Sequence, residues 1–141
     1  MNYLGQAIEW KLKKLDEWKN QVSIRTLDGV LTEWNVTGMA QPDDATLQSW
    51  CDEYETVGLA EQNFNVDNML GAMGLAFTGI EAVALAPYLS AIQNYASAPF
   101  RNFKGIKDFI AGLFLMRKAT QGQADTLTAI FAQQGIILSN Y

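Results

Sequence analysis

The chain has 141 residues, 49% of them hydrophobic, a net charge of −5, a single cysteine and no histidine. That length suits one domain or two small modules sharing a core, and the missing histidine removes the usual metal ligand and the side chain that titrates near neutral pH, so histidine-based hydrolase and zinc chemistry are excluded. Cys51 alone can form no internal disulfide, as expected of a protein made in a reducing compartment or indifferent to redox state, and the mixture of charge and apolar residues in MNYLGQAIEWKLKK predicts no export by a signal peptide.

The charge is unevenly spread. Between Arg25 and Arg101 there is no lysine or arginine, while Asp28, Glu33, Asp43, Asp44, Asp52, Glu53, Glu55, Glu61, Asp67 and Glu81 all fall in that span. Such a span repels nucleic acid and suits a basic protein surface, with an attraction that weakens as salt rises. The plainer reading is a solvated acidic face.

From the amino terminus, Leu4, Ile8, Leu12, Leu15 and Trp18 recur at helical spacing and predict an amphipathic helix over Asn2–Trp18, with Lys11, Lys13, Lys14 and Lys19 largely off the apolar stripe. Glu9, Asp16 and Glu17 dilute the basic field, so a plain surface helix is expected rather than a membrane-binding one. QVSIRTL and VLTEWNV around Asp28-Gly29 then predict a β-hairpin. Alternation along the strands places Val22, Ile24, Trp34 and Val36 on one face only if the loop has odd length, which predicts a three-residue loop with Gly29 at positive φ. Two such registers remain open, one of which sets Arg25 opposite Glu33.

Gly38–Gln41 reads as a linker, and Pro42 with Asp43 and Asp44 opens a helix whose first-turn acids meet free amides and the helix dipole. Leu47, Trp50, Cys51, Tyr54 and Val57 form its apolar stripe, so that Trp34 and Trp50 can meet over the hairpin. Residues 1–58 are thus expected to form a helix, a hairpin and a helix, the helices covering a hairpin that would be marginal alone.

Gly58–Asn65 reads as a polar turn. Met69–Ile92 is apolar nearly all round and rich in glycine and alanine; its length would span a membrane. Glu81 and Pro87 interrupt it and no lysine or arginine flanks it, so a buried central helix kinked near Pro87 is expected, with a holin-like membrane segment as the competing reading. Two amphipathic helices follow, one carrying Phe103, Ile106, Ile110, Leu113 and Phe114, the other Leu127, Ile130 and Phe131, separated by Gln121-Gly122-Gln123 and ended by Gly135. The tail IILSNY is expected to dock on the chain's own core, with partner contact as the alternative. The fold class is therefore α+β, predominantly helical: a module over 1–58 and a helical bundle over 59–141, the two packing together or forming one domain.

Chemistry is hard to find. Cys51 has no histidine to activate it and lies on an apolar stripe; the adjacent acid pairs Asp43/Asp44 and Asp52/Glu53 point about 100° apart on a helix and do not converge; and GLAEQNFNVDNMLGAMG lacks a phosphate-loop lysine and the dinucleotide spacing. No catalytic residue, metal or cofactor is expected. Trp10, Trp34, Trp50 and Tyr54 read as core or interface aromatics.

The order AIEWKLKKL, strands closing on LTEWNV, and PDDATLQSWCDEYE resembles the XkdW-like and tail-assembly-chaperone-like group of small phage proteins, at Trp34, Pro42, Asp43, Leu47 and Trp50 and over about the first 58 residues. The resemblance implies a non-enzymatic protein of the phage tail or tail fibres, either a virion structural component or an assembly chaperone, acting in the host cytoplasm or the virion. Its expected contact residues are Trp34, Asp43, Asp44, Trp50, Asp52, Glu53, Tyr54 and Glu55, its partners other tail or fibre proteins with a basic surface, and its state a homo-oligomer, without nucleic acid or membrane. The remainder from Asn65 lies outside the resemblance. An acidic inhibitor of a host nucleic-acid-binding enzyme is the alternative from a different class.

Overall fold

The computed structural model describes residues 1–99 and 101–141, and the protein is α+β and mostly helical, with one antiparallel hairpin after the first helix. It divides into two compact units, Met1–Gln62 and Asn63–Tyr141.

In the first unit, α1 (Leu4–Lys14) buries Leu4, Ala7, Ile8 and Leu12. It stops short of the Trp18 expected from periodicity. Asp16 takes a φ of 57°, and the amides of Asp16 and Glu17 reach back to the carbonyls of Lys13 and Leu12, a closing pattern that caps the helix with a left-handed residue. Leu15 is left exposed, while Trp18 packs on the core from a short 3₁₀ turn, Trp18–Asn20.

The hairpin pairs β1 (Gln21–Leu27) with β2 (Val30–Val36). Its loop has two residues, Asp28 and Gly29 with φ of 51° and 73°, not three. Consecutive positive φ values make the tight turn that matches strand twist. A side chain on Gly29 would strike the Met1 carbonyl oxygen, 2.7 Å from where its Cβ would lie. The change of parity instead comes from a bulge: Thr26 pairs with Leu31 and Arg25 with Glu33, leaving Thr32 as the extra residue. Ile24 thus faces Trp34 as expected, and Arg25 Nε lies 2.9 Å from Glu33. A second irregularity between Gln21 and Ser23 throws Val22 off that face and leaves it 64% exposed, so only Ile24, Trp34 and Val36 of the four reach the core.

Pro42 precedes α2 (Asp44–Glu53), whose N-cap is Asp43. The helix does not end in a polar turn at Gly58. A π-helical segment, Tyr54–Gly58, carries it into α3 (Leu59–Asn63), so the first unit closes at Gln62 rather than at residue 58. The wider turn brings Gly58, instead of Val57, under the apolar face, and with α1 and the hairpin this face encloses Leu47, Trp50, Cys51 and Tyr54.

The second unit is a four-helix ring: α4 (Val66–Ala76), α5 (Gly79–Ala96), α6 (Phe103–Leu115) and α7 (Gln121–Ala132), each touching the next and α7 touching α4. Gly79, with φ of 59°, lies where the apolar run breaks; Pro87 sits inside α5 without ending it. Nor is this run a buried central helix: in α5 only Leu85, Ile92 and Ala96 are buried. Among the described residues no helix is long and apolar enough to cross a membrane. Phe64, just before α4, stacks on Phe131 with centroids 5.6 Å apart and meets Phe103 edge-on at 5.2 Å. Gln134 and the Asn65 backbone exchange two hydrogen bonds, 2.8 and 3.0 Å, tying the entry of α4 to the exit of α7.

Phe103, Ile106, Ile110 and Leu113 are buried as their spacing requires, but Phe114 is exposed. Gln121-Gly122-Gln123 begins α7 instead of separating two helices, because Thr120 and Gln123 form a reciprocal capping box. Gly135, with φ of 80°, closes α7: its own amide bonds Ala132 and that of Ile136 bonds Phe131. The tail folds back, burying Ile136 and Leu138, and Lys107 donates to the Tyr141 carbonyl at 2.6 Å.

Candidate interaction surface

The eight expected contact residues separate by environment. Trp50 and Tyr54 are 7% and 4% exposed and belong to the core; they are packing residues, with no surface to offer a partner. Tyr54 meets Trp10 edge-on at 5.9 Å and donates its hydroxyl to Gln62, and burial pushes its phenol above the usual value. Trp34 is half-buried on the same core and donates its indole N–H to the Met39 carbonyl at 3.0 Å, which folds the strand exit back towards Pro42.

The acids lie outside. Asp43 accepts the Thr46 amide at 2.7 Å, and this bond holds its carboxyl below the usual range. Asp44, Gln48 and Asp52 follow at four-residue spacing along one line of α2, and Gln48 donates to Asp52 at 2.9 Å. Glu55 is exposed one turn beyond Asp52. Glu53 points elsewhere: it pairs with Lys11 of α1. Lys14 likewise binds Glu61 at 2.8 Å, and that carboxylate also accepts the indole N–H of Trp10 at 2.8 Å. The lysines of α1 thereby engage Glu53 and Glu61, while among the described residues no lysine or arginine pairs with Asp43, Asp44, Asp52 or Glu55.

This flank is a line of exposed carboxylates. Its carboxylates run along a helix without converging, and no group of three potential metal ligands occurs among the described residues. Cys51 is 1% exposed, and burial raises its thiol pKa and keeps it protonated.

A second surface had no counterpart in the expected contact set. At one end of the four-helix ring, Leu75, Ile80 and Val83 are 86%, 90% and 76% exposed, and Phe114, Leu115 and Met116 are 43%, 78% and 64% exposed. Gln123 donates to Glu81 at 3.0 Å and also lines a hollow of about 320 Å³ with Phe114, Arg117, Lys118, Ala119 and Thr120, so it joins the start of α5 to the end of α6. The signal was present in Met69–Ile92, whose apolar residues exceed what one buried helical stripe can use.

Compared with models of protein families, with curated proteins and with solved structures, the chain matches none.

Proposed function

We propose that this is a non-enzymatic protein that acts by protein–protein contact, with the acidic flank of α2 meeting a basic surface on its partner. The observation that carries this reading is the set Asp43, Asp44, Asp52 and Glu55, solvent-facing and unmatched by any cation of the described chain. Unpaired carboxylates lose little solvation until a cationic partner arrives, and they speed its approach at low salt. Joined to the resemblance of the first 58 residues, this supports a role at a phage tail or tail fibre, as a structural component or as an assembly chaperone. The exposed apolar side chains of the second unit favour an assembling protein over an inhibitor that mimics nucleic acid, for which a continuous acidic stripe would be required.

The test is charge reversal of Asp44, Asp52 and Glu55 to lysine in the producing phage. These exposed positions leave the core untouched, so circular dichroism stays unchanged while tail or fibre assembly falls. Normal assembly by the triple variant would remove the proposed surface. Retained assembly with lost inhibition of a host nucleic-acid enzyme would favour the inhibitor.

A further inference from the structure

We infer that the exposed apolar end of the second unit is the interface for a second copy of this chain. Leu75 closes α4, Ile80 and Val83 open α5, and Phe114, Leu115 and Met116 end α6 or follow it. Full burial of one such side chain removes on the order of 60–120 Å² from water, so at their exposures the six present roughly 250–500 Å² of apolar surface. That is about half or more of the apolar part of one side of a standard interface, which buries roughly 800 Å² per partner with about 65% apolar area in homodimers. Gly71 and Gly74 add open, side-chain-free ground beside Leu75: a Cβ on either would meet nothing within 4 Å.

Charge decides which partner fits. Glu81 stands at the start of α5 and, among the described residues, accepts only an uncharged amide, from Gln123. Arg117 and Lys118 stand at the α6–α7 junction, on the hollow that Gln123 also lines, and no ion pair occupies either among the described residues. One end therefore carries an apolar centre with an acidic and a basic flank. A two-fold axis through that centre sets Glu81 of each copy against Arg117 and Lys118 of the other, an isologous arrangement that satisfies both flanks at once. An anionic bilayer is a poorer occupant, since α4 and α5 hold no lysine or arginine and bring Glu81 to this end.

Sedimentation velocity of the full chain from about 1 to 100 μM tests this, the range that resolves a micromolar dimer. A dimer is expected, and Leu75→Lys with Ile80→Lys weakens it at least about tenfold with unchanged circular dichroism. Glu81→Lys alone, and Arg117→Glu with Lys118→Glu, each weaken self-association. Mixing those two variants restores it, because each then meets opposite charge at both junctions. A monomer at every concentration, a dimer indifferent to Leu75→Lys and Ile80→Lys, or a mixture that restores nothing would overturn the inference. The lysine variants of α2 leave this dimer intact, so the two surfaces fail or stand separately.

Discussion

Replacing Gly58 by alanine sets helix propensity against packing, and packing should win. A Cβ at this position would lie 2.3 Å from Tyr54 Cδ2, 2.9 Å from Tyr54 Cε2 and 3.1 Å from Trp10 Cε2. The Tyr54 ring cannot simply turn away: it meets Tyr3 at 5.8 Å and Trp10 at 5.9 Å, and its hydroxyl is bonded to Gln62. Overpacking of a filled core costs about 1–3 kcal/mol, while exchanging glycine for alanine in a helix returns about 1 kcal/mol at most. A contact of 2.3 Å puts the clash at the upper end of that range, so the expected net loss is about 2 kcal/mol, or a fall of roughly 1 M in urea midpoint at a slope of about 2 kcal/mol/M. Urea titration followed by tryptophan fluorescence is the assay, because Trp10, Trp18, Trp34 and Trp50 all lie in the first unit. Tyr54→Leu supplies the check, since without the ring the alanine should no longer destabilise. A midpoint unchanged or raised by Gly58→Ala in the otherwise native chain would refute the steric argument.

Thr120→Ala removes the hydroxyl that accepts the Gln123 amide at 3.1 Å and should cost about 1 kcal/mol, read by circular dichroism because the second unit has no tryptophan. Asp43 has a folded pKa below its ordinary value, so its charged cap contributes stability above the unfolded carboxylate range and loses it as pH falls through the folded pKa. Asp43→Asn keeps an acceptor for the Thr46 amide but not the charge. The native chain should exceed it in urea midpoint at neutral pH, and the difference should close in acid; a gap that widens in acid would contradict the assignment.

Much of the fold was legible because it rests on local signals. Spacing located the cores of α1, α2, α6 and α7, and Asp28-Gly29 located the hairpin. What escaped were single-residue devices that shift phase without changing composition. Two bulges altered the strand parity that a regular hairpin assumes, a π-turn moved the buried face from Val57 to Gly58, and the chain broke at Gly79 while Pro87 was accommodated. At the interaction surface, periodicity alone could not separate Glu53, which Lys11 engages across the unit, from Asp52, which pairs with no cation among the described residues. Trp50 and Tyr54 drew notice as aromatics, but the same helical stripe that made them conspicuous is what buries them.

The most direct test of a contact function is cross-linking mass spectrometry on particles and assembly intermediates from cells producing the chain, with the α2 lysine variants alongside. Cross-links from residues flanking Asp44, Asp52 and Glu55 to a basic face of a tail or fibre protein, lost in the variants, are the predicted result. A chain that never associates with tail components, or whose cross-links to them survive charge reversal, would contradict it.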